Sequence, residues 1–408
     1  MRLLRLNGSQ TSNTFRMDSV PYNYEDFTWV PSLSYRLCGY EILDTGRTRR
    51  HILMRIYHLI CVGSHVFSVL FMIYRIIEWD SIGNDVALII RYATLVTYVI
   101  NSDTKYGTSQ QKDAFKRLNS KLSALFPKST QARIDHRVNE FYWPRPLLML
   151  IVVYFGSSAM VVLGPLLQSG YIYLMENRFP FMHCYPYYIF DPQQDPLWYY
   201  FVIYVLEWLH STLMVISNMS TDLWLVCFEV QICMHFDYMA RSLESYQPHW
   251  TRDFADRKFI SDLVDTHVQL LDLQDDLNGI FGGSLLLSLL TTSGVFCTVA
   301  VYTQLQGLNL EGITYVVFMM TATSQVYLVC YYGELVRILS TNITHAAYNH
   351  NWSDATPAYK KLLLIIITRA QRPAELSAMG YLPVSLDIFK QVMSVTYRVF
   401  ALIRQMIE

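Results

Sequence analysis

Charge is scarce in this sequence. Asp, Glu, Lys and Arg make up only 16% of its 408 residues, and they leave a formal net charge of −1. A chain so near neutrality has no field with which to gather a polyanion, so no nucleic-acid partner is expected. A cleavable leader is not expected either, because the first 30 residues are polar and no short apolar core precedes a small-residue cleavage site. Cysteines are few and scattered, at 38, 61, 184, 227, 233, 297 and 330, with no CxxC pair and no Cys–His spacing suited to zinc. That pattern argues against a disulfide framework. There is no Gly-rich phosphate loop, HExxH, GxSxG or paired-carboxylate motif, and His183, His345 and His350 lack partners at metal-binding spacing. The expectation is therefore no enzyme, no cofactor and no metal. Internal repeats, which would suggest a secondary transporter, are also missing.

What the chain does have is apolar length. Hydrophobic residues reach 52% and mean hydropathy is +0.20, which places it in the membrane class. A bilayer core of about 30 Å needs about 20 helical residues. The stretches 147–167, 279–305 and 312–333 supply that length without a charge, and 198–219 does so with only Glu207. Weaker candidates at 57–77, 86–104 (interrupted by Arg91) and 385–405 bring the expectation to seven transmembrane helices. The run LLLIIIT (362–368) is too short to span and reads as part of a helix packed inside protein. The helical pattern that starts at Trp198 persists past Met239. The acidic amphipathic segment 258–279, with Phe259, Leu263, Leu270, Leu273 and Leu277 on its apolar side, leads directly into the fifth span. Both read as extensions into water that pack on each other.

Lys and Arg set the expected orientation. Arg2, Arg5, Arg16, Arg36, Arg47, Arg49 and Arg50 precede the first span, and the loop after the second holds nine more between Lys105 and Arg145. The alternate loops are nearly bare, so the N-terminus is expected inside and, after seven crossings, the C-terminus outside. This is opposite to a G-protein-coupled receptor, and no tail for a G protein or arrestin is expected. In this topology the sequons at Asn7, Asn342 and Asn351 face the cytosol and carry no glycan; a fourth, at Asn218, lies within a span.

Two C-terminal stretches, CYYGELVRILSTNITHAAYNHNW (330–352) and KLLLIIITRAQRPAELSAMGYLPVSLDIFKQVMSVTYRVFALIRQ (361–405), resemble the signature of the insect odorant receptors. The loop FPFMHCYPYYIFDPQQDP and the stretch HVQLLDLQDDLNGIFGGSLLLSLLTTSGVFC are similar to the same family. The resemblance implies an all-α, tetrameric, ligand-gated non-selective cation channel with seven helices per subunit and a split seventh helix. The implied organisation is a cytoplasmic segment (1–51), six spans with ligand pocket and cytoplasmic extensions (52–353), a cytoplasmic anchor helix (354–376) and a pore-lining helix (383–408). The loop between spans four and five is short here, only about 25 residues, whereas the family's co-receptor carries a long insertion. The chain thus resembles a ligand-tuning subunit that assembles with that co-receptor in the plasma membrane, in the dendrites of olfactory sensory neurons, and conducts cations when a small volatile odorant binds. Gustatory receptors are the alternative family. They often show TY, five apolar residues, then Gln, whereas here Arg398 follows Thr396–Tyr397 and Ile403 takes the Gln position. A metabotropic seven-helix receptor is a more distant alternative.

On the last helix, Phe389, Met393, Thr396, Phe400 and Ile403 share one side, while Lys390, Gln391, Ser394, Tyr397, Arg398, Arg404 and Gln405 share the other. A ring of Arg398 on a narrow path would repel cations, whereas an apolar constriction can gate by dewetting. Phe400, flanked by Thr396 and Ile403, is therefore the candidate gate; the same side would equally serve to pack against other helices. An apolar ligand needs an apolar cavity with one or two polar anchors. Depth alone nominates the outer halves of four spans: Leu88 and Tyr92; Phe155, Met160 and Leu163; Tyr200, Tyr204 and Trp208; Tyr315 and Met319. Such aromatic residues also commonly pack or form interfacial belts. Glu207 and His210 are spaced to pair on one helix face. Arg91 is placed to reach an outer carboxylate or to snorkel. Nothing in the sequence supports a bridge between Cys184 and Cys297.

Overall fold

The computed structural model describes residues 21–37, 48–77, 86–142, 144–185, 195–307 and 310–407, and among them lie twelve α-helices, one 3-10 turn (Trp250–Arg252) and one tiny hairpin. Asn7, Cys38 and the arginines before residue 21 lie outside these residues. In chain order the helices are α1 (Tyr24–Leu37), α2 (Thr48–Ile77), α3 (Val86–Ser109), α4 (Lys112–Leu125), α5 (Thr130–Asp135), α6 (Val138–Phe141), α7 (Pro144–Glu176), α8 (Leu197–Ser245), α9 (Asp253–Gln306), α10 (Leu310–Asn349), α11 (Pro357–Ala370) and α12 (Leu386–Ile407). Strands β1 (Ser377–Ala378) and β2 (Leu382–Pro383) form the hairpin between the last two.

Two of the helices are far longer than a bilayer requires. With 49 and 54 residues, α8 and α9 extend about 74 and 81 Å. Their far halves, together with α1, α4, the end of α10 and α11, build a layer beyond the spans. The largest apolar core is there: Tyr35, Phe115, Trp224, Phe228, Phe236, Leu270 and Tyr359 are among its members. The physical cause is the solvent. Apolar side chains gain by leaving water, whereas in lipid they lose nothing by staying exposed. Accordingly only 11% of the spanning apolar stretch of α7 is buried, whereas that of α8, enclosed by neighbouring helices, reaches 61%.

Among the described residues five helices are long and apolar enough to cross a membrane by length and composition, namely α2, α7, α8, α9 and α10. Of the seven stretches expected from the sequence, those in α3 and α12 fall outside this set. At 24 and 22 residues both have the length, but Arg91, Asn101 and Asp103 in α3, and Lys390, Arg398 and Arg404 in α12, dilute their hydropathy. Helix α3 tolerates this because it is enclosed, packing most heavily on α9 and also on α8.

Local chemistry explains how the chain turns into α12. Thr356 caps α11, accepting from the Tyr359 amide while its hydroxyl donates to Asp253 Oδ1 at 2.6 Å, and Pro357 follows as the first helical residue. The hairpin turns through Met379, Gly380 and Tyr381; the first two are left-handed at φ 54° and 75°, and the Tyr381 amide donates to the Ala378 carbonyl at 3.2 Å. The hairpin lies directly on two helices. A Cβ at Gly333 would collide with the Val384 carbonyl, and one at Gly282 would meet the Met379 amide at 2.9 Å. Ser385 then accepts from the Ile388 amide at 3.4 Å, with Asp387 in the first turn.

Candidate functional site

The end of the bundle where α7 meets α8 is closed by residues 181–185, and one buried carboxylate holds them. Glu207, with no exposed surface, accepts from the Cys184 amide at 3.1 Å, the Tyr185 amide at 3.3 Å and His183 Nδ1 at 3.3 Å. The expected pairing of Glu207 with His210 does not form, because each finds a partner across the bundle. His210 Nδ1 lies 3.1 Å from His65 Nδ1 on α2, whose Nε2 is 2.8 Å from Asp103 on α3. Both Cys184 and Cys297 are free thiols. Arg91 sits over the Tyr302 ring at 5.8 Å and donates to its hydroxyl at 3.4 Å.

The ten residues nominated by depth fall into separate groups. Tyr92 is buried with Met72, Val99 and Tyr185, and Leu88 packs against them. Tyr200 and Tyr204 form a second cluster with Val162; the Tyr200 hydroxyl donates to the Met182 carbonyl at 2.9 Å, and that of Tyr204 to the Val162 carbonyl. Tyr315 belongs to a third, its ring 4.9 Å from Tyr302. Met160 and Met319 are half-buried. Phe155, Leu163 and Trp208 are about half exposed on the outside of the bundle.

A narrow cleft lies deeper, one to two helical turns beyond Tyr92, and none of the ten lines it. Tyr98 and Asn101 of α3, Tyr154 of α7, Thr292 of α9 and Phe318 and Gln325 of α10 bound it. In this packing its core has room for about one water. The Tyr98 and Phe318 rings meet edge to face at 4.7 Å. Gln325 also borders a second cleft that contains Lys105, Asp222 and Ser284 and ends at Val384, at the foot of α12. The only sequence signal for Thr292 and Gln325 is that each belongs to a short polar run, Thr291–Ser293 and Thr323–Gln325, inside an uncharged span.

Between these clefts runs a polar seam. Lys105 Nζ meets Asp222 Oδ1 at 2.6 Å, and the Tyr154 hydroxyl donates to the other oxygen at 2.6 Å. Asn101 donates to Asn218 Oδ1 at 3.2 Å and accepts from Ser288 at 2.9 Å. The seam thereby ties α3 to α7, α8 and α9. Because Asn218 is fully buried in it, the sequon it begins is closed to modification in the folded chain.

In the layer beyond the spans, burial sets the protonation states. It pushes the Glu229 carboxyl up to about 8, against an opposing hydrogen bond from Gln274, and pulls His235 and His267 down to about 3 and 4. Glu229 therefore carries its proton at neutral pH, and both imidazoles are neutral.

Helix α12 presents two unlike sides. Phe389 meets the Tyr327 ring at 5.5 Å, Thr396 is 4% exposed and bonds to the Val392 carbonyl, and Phe400 is half-buried. This side packs on α9 and α10. The opposite side, with Gln391, Ser394, Tyr397, Arg398 and Leu402, stands open. The Ile403 side chain lies outside the described residues.

Comparison with known proteins gives a consistent result. A family model described as "7tm Odorant receptor" matches residues 86–397. Odorant receptor 85f of Drosophila melanogaster is 55% identical over 393 residues, covering 96% of this chain and 100% of that one. Odorant receptor 49a of the same fly is 33% identical over 391 residues, covering 95% and 98%. The fold is similar to that of the insect olfactory receptor OR5 from Machilis hrabei in complex with eugenol, with a TM-score of 0.74 at 16% identity over 94% of this chain and 98% of the other. The same receptor in a second structure gives the same TM-score.

Proposed function

The chain belongs to the 7tm odorant receptor family, a family of multi-pass membrane receptors and not of enzymes, and on that premise we propose that it is the ligand-tuning subunit of a heteromeric, odorant-gated, non-selective cation channel. The subunit joins the family's co-receptor in a tetramer in the plasma membrane of olfactory neuron dendrites, with its N-terminus inside and its C-terminus outside. A small volatile odorant occupies the outer half of the bundle. Leu88, Tyr92, Met160, Tyr200, Tyr204, Tyr315 and Met319 are its candidate surroundings, and the pore runs along α12. Phe155, Leu163 and Trp208, on the outside of the bundle, would join them only by turning inward.

The observation that carries this reading is the open side of α12. Gln391, Ser394, Arg398, Arg404 and Gln405 are exposed along it, and such a surface facing hydrocarbon would be expensive. Water or neighbouring subunits must cover it, and Arg398, which would repel cations on the narrow path itself, is turned to a neighbouring subunit or to water beside that path. Phe400 lies at the border of the packed and open sides, where a small rotation turns it toward that path. The same rotation would have to bring out Thr396, now packed on the α9 and α10 side, which with Ile403 forms the remainder of the gate.

Recording from cells that express the chain with the co-receptor, while G-protein signalling is blocked, tests the proposal. Odorant-evoked cation current that persists under the block is the expected result. Current lost under the block supports the metabotropic alternative, which also predicts the reverse threading and glycan on Asn342 or Asn351.

A further inference from the structure

Three polar side chains in the middle of the bundle make no hydrogen bond to the described residues, and all three line one cleft: Tyr98, Thr292 and Gln325. Thr292 is 4% exposed and Gln325 7%. Their polar atoms are not among those sealed against packed neighbours without a partner, so they open onto the cleft itself. The polar groups beside them are satisfied. Asn101 is bonded at both ends of its amide, Tyr154 donates to Asp222, and the hydroxyls of Thr291 and Thr321 bond to carbonyls of the preceding turn. Unpaired amide and hydroxyl groups this deep are costly, and natural structures rarely leave them so without a purpose.

The cleft is also placed to be the floor of a larger site. Tyr98 lies six residues from Tyr92 along α3, about 9 Å, and packs with the same cluster. Phe318 stands between Tyr315 and Met319 on α10. The walls above are apolar and aromatic, while the floor offers an amide and two hydroxyls within a space of about one water. We infer that this floor receives the hydrogen-bonding group of the ligand, so that the receptor selects small apolar molecules ending in a hydroxyl or carbonyl oxygen over hydrocarbons of the same shape. The inference rests on the odorant-receptor reading above. A terminal oxygen can accept from Gln325 Nε2 and from either hydroxyl, and an alcohol can in addition donate to the Gln325 oxygen. Gln325 also borders the second cleft, so whatever binds it adjoins the space that reaches the foot of α12.

The test uses the full chain co-expressed with the co-receptor and a broad set of matched probes, such as ethylbenzene with benzyl alcohol, propylbenzene with 2-phenylethanol, and heptane with hexan-1-ol. Wild type is expected to answer the oxygenated member at a concentration at least about tenfold lower. Gln325→Leu and Thr292→Val, which keep shape while removing the polar group, should each shrink that gap by about three- to tenfold. Potency of the hydrocarbon should stay the same, and Thr292→Ser should retain the gap. Surface biotinylation confirms that each variant is delivered. The inference is overturned if the gap survives both substitutions, if hydrocarbons are equally potent on wild type, or if both probes of a pair weaken together, as for a floor that merely houses structural water. A delivered complex that answers none of the probes counts against the odorant-receptor reading itself.

Discussion

Glu229→Gln should stabilise this protein, increasingly so as pH rises. Glu229 is wholly buried on α8, and Gln274 Nε2 of α9 donates to its Oε1 at 3.1 Å. Glu229 Oε2 and Gln274 Oε1 are both left without a partner. A proton on Oε2 supplies the missing donor and closes a two-bond acid–amide pair between the helices. Burial favours the same form by raising the carboxyl from its ordinary 4.5 to about 8. Because the folded value is the higher one, the folded state holds a proton that the unfolded chain has released. Its contribution to stability is complete below pH 4.5 and falls by about 1.4 kcal/mol per pH unit until it is lost near pH 8. At pH 7 the accumulated loss is on the order of 3 kcal/mol. Glutamine cannot ionise, yet it offers the same donor and acceptor, so the variant would escape this loss. Melting curves of detergent-solubilised protein followed by size exclusion, taken from pH 5 to pH 8, should show the variant's Tm advantage widening with pH to a few degrees. An advantage that does not change with pH refutes the reasoning. So does destabilisation equal to that of Glu229→Leu, which leaves Gln274 unpaired at every pH.

Lys105→Met should strand a buried Asp222, cost about 3–5 kcal/mol and sharply lower surface delivery by biotinylation. Lys105→Met with Asp222→Leu should recover much of it, and a double variant as poor as the single one refutes the ion-pair account. Glu207→Ala removes the acceptor shared by three donors at residues 183–185, so Cys184 should react several-fold faster with a polar methanethiosulfonate applied outside; an unchanged rate contradicts the clamp. Phe400→Ala should raise resting leak current or alter ion selectivity at normal surface level, whereas reduced delivery without leak would mark a packing role.

The long rods were legible because apolar periodicity runs without a break past Met239 in α8 and through the acidic segment that leads into the fifth span. The rotation of each span about its own axis was not. Helix α7 is apolar on nearly every side, so nothing in its sequence separates Phe155 and Leu163, which face outward, from Tyr154, which turns inward to Asp222. Depth put Tyr92, Tyr200 and Tyr315 at one level, but their packing in three clusters depends on contacts between distant segments. The same holds for Glu207 and His210. Local spacing suggested each for the other, whereas His183 and His65, from elsewhere in the chain, are the residues they meet. Thr292 and Gln325 did leave a trace, as members of short polar runs in uncharged spans, but only the packed bundle brings them to one cleft. On α12 the two sides were visible in the alternation of residues, and which side seats on α9 and α10 was not.

Helix α9 passes without interruption from the layer beyond the spans to the opposite end of the bundle, so a rigid tilt of it would work as a lever. A rod of 54 residues, about 81 Å long, that tilts by about 3° around its midpoint carries each tip roughly 2 Å sideways. Thr292 sits on one arm, and Gly282, with the hairpin seated against it, is nearer the middle. A shift too small to disturb packing around Thr292 would therefore arrive at the far end of a rigid α9 as a displacement wide enough to re-seat side chains.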